Sequence, residues 1–189
     1  MENLPILIRK AETDDIDNIM NVERLSFHSN VIESQKVFED RISLFSDGFL
    51  VAETEKDGKK TIVGYISSEL WSFSKEIQIS NFNLNHSIFE THCSDGEELY
   101  ISSIAIDPQF RGNGIGKHLF TYLLDSVSNK YKLKSAILLV NSDWQSAHKM
   151  YRNEEFEEIG KILNFFPITK KDNENHSSGT GIIMRKYFE

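Results

Sequence analysis

With 189 residues, 39% of them hydrophobic and 26% charged, the chain is long enough to bury one sizeable core, and a single domain over residues 1–189 is expected. Its formal net charge of −8 argues against nucleic-acid binding, which needs concentrated Lys and Arg, and no apolar run approaches the ~20 residues of a membrane span. The one cysteine, Cys93, excludes an internal disulfide framework and a cysteine-built zinc site.

Residues 5–10 read as a first strand. Thr13-Asp14-Asp15 supplies an N-cap and an acidic first turn for a helix with apolar positions Ile16, Ile19, Met20 and Phe27. Ser34 caps a second helix carrying Val37, Phe38, Ile42 and Phe45. Residues 49–55 and 61–70 are β-rich runs on either side of Lys56-Asp57-Gly58-Lys59, a hairpin signal. Residues 72–96 mix Ser, Asn, His and Phe without a steady period. A structureless loop of that length is unusual, so this irregular insertion is expected to be helical near 86–91 or to form a flap on the substrate side. A strand over 99–106 leads to a helix from about 115 to 129, with Ile115, Leu119, Tyr122, Leu123 and Val127 as its buried stripe. Residues 136–140 read as a central strand and 144–153 as a short helix. The last strands fall at 156–163 and 181–188, separated by a polar loop at 168–179. The order βααβββαβαββ specifies a mixed sheet with helices on both sides, an α/β fold.

The most informative stretch is 99–124. A strand, Asp107-Pro108, a glycine-spaced turn and a helix follow in register. That order aims free backbone N–H groups, at the positive end of a helix dipole, beyond the strand. Gly112, Gly114 and Gly116 let the main chain approach a ligand, and the expected ligand part is an anionic phosphate. The dinucleotide spacing G-x-G-x-x-G fails because position 117 is Lys; a Walker loop fails because position 111 is Arg and His118 follows Gly116-Lys117.

What the turn does resemble is the R/Q-x-x-G-x-G/A signature of the GNAT superfamily of acetyl-CoA-dependent N-acetyltransferases, carried by Arg111-Gly112-Asn113-Gly114-Ile115-Gly116. Trp144, Ala147, Tyr151, Glu155 and Phe156 are similar to that family's N-x-x-A-x-x-x-Y-x-x-x-G-F run. The resemblance spans roughly residues 6–187. Asn164-Phe165-Phe166-Pro167 and Gly181-Ile182-Ile183-Met184 look most like the ribosomal-protein-alanine N-acetyltransferases. Three positions depart from the pattern: Trp144 replaces an Asn, Glu155 a turn glycine, and Leu139 the glutamate of the ribosomal-alanine enzymes.

The resemblance implies a GNAT-like, mixed but mostly antiparallel central sheet flanked by helices. It implies acetyl transfer from acetyl-CoA to a primary amine of a small molecule or a peptide or protein N-terminus, without a metal. The pyrophosphate would rest on Arg111, Gly112, Asn113, Gly114, Ile115, Gly116 and Lys117, with Arg111 and Lys117 adding charge or being solvated surface cations. Ile104, Ala105 and Ile106 would run beside the pantetheine arm, Ile106 N–H would support the oxyanion, and Trp144 and Ala147 would complete the cofactor site. Tyr151 is the candidate acid for the departing thiolate, the alternative being a core tyrosine.

For a base, strict alternation puts Glu98, Tyr100 and Ser102 on one strand face and Leu99, Ile101 and Ser103 on the other. Glu98 is then the candidate, the alternatives being an exposed charge at a strand start or catalysis by positioning alone. The acceptor site would use residues 27–33, 72–96 and 164–179, with the aromatics Phe27, Trp71, Phe73, Phe165 and Phe166. His86, His92 and His118 show no partner spacing. A cytoplasmic monomer or homodimer is expected, since Met-Glu-Asn-Leu-Pro begins no signal-peptide pattern. The departures keep a second reading open: a catalytically weak acyl-CoA-binding module with a sensing or subunit role.

Overall fold

The computed structural model describes residues 5–56, 58–167 and 179–188. The elements are β1 (Ile6–Lys10), α1 (Ile16–Ser26), α2 (Gln35–Leu44), β2 (Phe49–Lys56), β3 (Lys59–Trp71), α3 (Ile88–Thr91), β4 (Glu98–Ile106), α4 (Ile115–Ser128), β5 (Ser135–Asn141), α5 (Gln145–Asn153), β6 (Glu157–Ile162) and β7 (Gly181–Tyr187). The strands form one sheet in the order β1-β2-β3-β4-β5-β7-β6. Among the described residues only β4 and β5 pair in parallel; every other strand pair is antiparallel. This is the mixed, mostly antiparallel sheet the sequence implied, with α3 added inside the insertion.

Periodicity explains the layers. Helix α4 turns Ile115, Leu119, Phe120, Leu123, Leu124 and Val127 onto one sheet face, against Leu50, Ala52, Ile66 and Leu70. The expected stripe included Tyr122, but that residue is 45% exposed. At 3.6 residues per turn, Phe120 and Leu124 hold its place beside Leu123. On the other face, α1 and α2 press Ile16, Ile19, Met20, Phe38 and Ile42 against Phe49, Val51 and Tyr65. A third cluster joins Trp71, Phe82, Tyr100, Ile137 and Ile183, with Trp71 and Tyr100 stacked at 3.9 Å between ring centroids.

The insertion is structured. It forms a 3₁₀ turn at Ile79–Asn81 and then α3, close to the expected helical piece. It is tied back by Cys93 N–H to the Leu70 carbonyl at 2.8 Å and Thr91 Oγ1 to Glu69 Oε1 at 2.8 Å. Asp57 of the expected hairpin turn and residues 168–178 of the expected polar loop lie outside the described residues.

One irregularity changes the reading of β4. Ser67 pairs with Ser103 and Ser68 with Ile101, so Ser102 is an extra residue, a β-bulge. A bulge advances the side-chain alternation by one. Leu99 and Ile101 face α4 and Tyr100 the opposite side, but beyond the bulge Ser103 and Ala105 join the Tyr100 side. The expectation that Ser103 shares a face with Leu99 and Ile101 is therefore corrected.

Candidate active site

The parallel pairing of β4 with β5 runs only from Glu98–Ser135 to Ile101–Leu138. Beyond it the two strands part, leaving one edge of residues 102–106 unpaired. Asp107 N–H bonds the Val63 carbonyl at 2.9 Å. By the two-residue alternation of an antiparallel ladder, Ile104 and Ile106 then turn their backbone groups toward the opening. The Ile106 carbonyl is taken up by Ser26 Oγ at 3.2 Å and Arg111 Nε at 3.0 Å.

Beyond β4 the chain turns sharply. Asp107 Oδ1 accepts the Gln109 N–H at 2.9 Å and Pro108 opens a 3₁₀ turn. Gly112 (φ 81°) and Gly114 (φ 78°) occupy the left-handed region, and α4 starts at Ile115. Among the described residues, the N–H groups of Gly112 through Lys117 donate to nothing in the protein. Six free amides at a helix start form an anion cradle. All of these residues but Asn113 border a cleft of about 690 Å³ between β4, α4 and α5.

A second, smaller cavity of about 120 Å³ lies beneath α1, the insertion and the Phe165-Phe166 segment. Phe27, Ile104, Trp144, Ala147 and Tyr151 line both spaces, so the two adjoin. Phe27 and Phe166 flank Trp144 with ring centroids at 5.5 and 5.3 Å. Tyr151 packs on Phe120 at 5.1 Å, and its hydroxyl has no hydrogen-bond partner among the described residues. Burial pushes that phenol well above its ordinary pKa of 10.0, so it stays protonated at neutral pH.

The wall of the smaller cavity is acidic. Glu23, 1% exposed, accepts the Tyr65 hydroxyl and the Glu33 N–H at 3.0 Å. Burial raises its carboxyl to about 7 despite those donors. Glu33 is held by Arg41 through two hydrogen bonds of 2.5 and 2.8 Å. His86 sits between two acceptors, Nδ1 3.0 Å from the Asn83 carbonyl and Nε2 3.0 Å from Glu69 Oε1.

The free-amide cradle thus lies beside a cavity walled in part by Glu23 and Glu33. The model of the acetyltransferase (GNAT) family matches residues 16–156. The chain belongs to the acetyltransferase (GNAT) family. An N-alpha-acetyltransferase of Sulfurisphaera tokodaii is 26% identical over 160 residues, 84% of each chain. The fold is shared with solved structures. The ribosomal-protein-S18-alanine N-acetyltransferase from Escherichia coli has a TM-score of 0.67 at 19% identity, covering 97% of this chain and 94% of that one. Naa50 of Arabidopsis thaliana, in complex with the bisubstrate analogue CoA-Ac-MVNAL, has 0.67 at 18%, covering 97% and 99%.

In this acetyltransferase the residues read from the sequence fall in several places. Ile104, Ala105, Ile106, Arg111, Gly112, Gly114, Ile115, Gly116, Lys117, Trp144 and Ala147 line the larger cleft. Asn113 does not; its side-chain amide donates to the Phe110 and Arg111 carbonyls at 3.1 and 3.4 Å and fixes the loop. Lys117 is exposed and paired with Glu154 at 3.0 Å. Glu98 lines neither space. It is buried at the start of β4, 2.8 Å from Arg185 Nε and 2.7 Å from Ser135 Oγ, so it is not an exposed charge. Of the expected aromatics, Phe27, Phe165 and Phe166 line the smaller cavity, whereas Trp71 is core and Phe73 packs on Tyr187. Glu155 does adopt positive φ, 66°.

Glu23 and Tyr65 were missed; His86, for which a surface or satisfied core histidine is the expectation, is buried and hydrogen-bonded to Asn83 and Glu69. Glu23 had a signal: with Ile16, Ile19, Met20 and Phe27 it shares the buried stripe of α1, where a carboxylate is out of place. Tyr65 looks like any core strand residue, and the His86–Glu69 contact spans two elements.

Proposed function

We propose that this protein transfers an acetyl group from acetyl-CoA to a primary amine, on a small molecule or a peptide or protein N-terminus, by direct attack on the thioester. The observation that carries this is that the cleft of the cradle and the smaller cavity lie side by side, sharing Ile104, Ala147 and Tyr151 as walls. The residues fit the donor: free amides from Gly112 to Lys117 suit a diphosphate, and the unpaired edge of Ile104–Ile106 suits an extended amide-bearing arm. Ile106 N–H faces the place where the thioester oxygen gains charge. Tyr151 holds a proton for the departing sulfur. The bisubstrate analogue in the Arabidopsis protein of the same fold supports a shared donor and acceptor path.

The acceptor side is built from Phe27, Val31 and Glu33 after α1, from Asn83, Leu84 and His86 of the insertion, and from Phe165 and Phe166. The combination of acidic and aromatic walls suits an amine with an adjoining apolar part. The test is coenzyme A release from acetyl-CoA against a panel of amines and peptides. Acceptor-dependent release, lost in Tyr151→Phe with coenzyme A affinity kept, is the expected result. Coenzyme A binding without release on any acceptor would favour the catalytically weak acyl-CoA-binding module, which Leu139, Trp144 and Glu155 motivate, Leu139 and Trp144 lying in the cavity wall.

A further inference from the structure

Resting on the transfer just described, the geometry points to a proton relay, Ser103–Tyr65–Glu23, that takes the proton the acceptor amine must lose. Ser103 lines the acceptor cavity. Its Oγ lies 2.9 Å from the Tyr65 hydroxyl, which in turn reaches Glu23 Oε2. The direction of the chain follows from counting protons. An ionised carboxylate only accepts, so the single Tyr65 proton is committed to Glu23. Ser103 must then donate to the Tyr65 oxygen, which leaves its own lone pairs for a donor in the cavity.

An ammonium at Ser103 completes the path. Its proton passes to Ser103 Oγ, the Ser103 proton to Tyr65, and the Tyr65 proton to Glu23. A charged ammonium and carboxylate become a neutral amine and a carboxylic acid. No oxygen carries a net charge at the end, and the proton later leaves Glu23 for solvent. The amine then attacks the thioester carbon, the carbon–sulfur bond breaks, and the sulfur takes a proton from Tyr151, which recovers one from the new amide nitrogen.

The surroundings suit this use. Tyr65 is fully buried, packed between Phe38 and Phe49, and its pKa is raised well above 10.0, so it conducts a proton without storing an anion. Glu23 titrates near neutrality because burial opposes its charge. The charged groups facing it are Glu33, whose carboxylate raises its pKa, and Arg41, which lowers it. Those two are paired to each other, leaving Glu23 the free acid in the group.

The test compares Tyr65→Phe, which keeps the ring packing, with Glu23→Gln and the double variant. Each single variant is expected to lower kcat/KM at pH 7 about 100-fold, the range of general-base catalysis, and the double variant no further. In all three, activity should climb with pH and approach the wild type once the acceptor amine is already neutral, while coenzyme A affinity stays unchanged by calorimetry. Wild-type activity in Tyr65→Phe at pH 7, or multiplying losses, or losses equal at every pH, would overturn the relay alone. Wild-type protein releasing no coenzyme A would overturn acetyl transfer and the relay with it.

Discussion

Ser103 reaches Tyr65 because β4 carries one residue more than β3 at Ser102. The extra residue turns Ser103 from the α4 side of the sheet to the Tyr65 side, 2.9 Å from its hydroxyl. Ser102 itself is anchored, donating to the Ser67 carbonyl and Oγ at 3.1 Å each. Ser103 is the outermost member of the relay and the one a water can replace. Ser103→Ala is therefore expected to lose about 10-fold in kcat at pH 7, less than Tyr65→Phe, because an ordered water can bridge nearly as well as a hydroxyl. Steady-state kinetics on both variants check the ranking; a larger loss for Ser103→Ala contradicts it.

Glu23 also makes stability depend on pH. Its carboxyl rises from 4.5 to about 7 on folding, so the folded state holds a proton that the unfolded chain has lost. That contribution is fully present below about 4.5 and disappears as pH rises through about 7. At 1.36 kcal/mol per pH unit it amounts to about 3 kcal/mol. Glu23→Gln lacks the titration, so its Tm should gain on the wild type by roughly 5–10 °C between pH 5 and pH 8. Thermal melts at the two pH values measure it, and parallel shifts would contradict it.

A proton acceptor near 7 also discriminates among amines. An α-ammonium group titrates at about 8 and a lysine ammonium at about 10.4, so the transfer to Glu23 is uphill by about tenfold in one case and about a thousandfold in the other. A peptide with a free N-terminus is thus expected to exceed an N-blocked lysine peptide by roughly 100-fold in kcat/KM at pH 7. The gap should narrow toward pH 10. A pH-independent ratio would assign the preference to fit in the cavity instead.

The cradle was legible because it is local: strand end, glycines and helix start occupy consecutive residues, and one signature captures them. The sheet and helices were legible for the same reason, since periods of 2 and 3.6 show within single segments. The acid–base groups were not. Glu23, Tyr65 and Ser103 come from α1, β3 and β4, and a bulge set by pairing between two strands decides which way Ser103 faces. Glu98 illustrates the converse. Alternation assigned it to the Tyr100 face, but not how far along β4 the cavity lies, and its partner Arg185 is 87 residues away in sequence.

Glu98 therefore predicts stability, not turnover. Its pairing with Arg185 is buried on both sides. Removing one partner leaves the other charge buried without its counter-ion, a loss of about 3–5 kcal/mol. Glu98→Gln should melt well below the wild type yet keep the pH profile of kcat/KM at temperatures where it is folded. Denaturant unfolding together with the kinetic profile tests both halves. Loss of the ascending limb in the folded variant would return Glu98 to the chemistry.

Gly116 separates binding from folding. Unlike Gly112 and Gly114 it has no positive φ, and a Cβ there would meet only Ile106 Cγ1 at 3.5 Å, an ordinary contact. Nothing in the fold requires glycine, and alanine is the better helix former by about 1 kcal/mol. The absent side chain instead keeps the free amides of the cradle open to a ligand. Gly116→Ala is expected to raise Tm by a few degrees while weakening coenzyme A binding at least tenfold by calorimetry. Gly114→Ala, at φ 78°, should lose about 1–2 kcal/mol of stability because an L-residue is strained there. If Gly116→Ala bound coenzyme A as tightly as the wild type, the head of α4 would not be where the diphosphate rests.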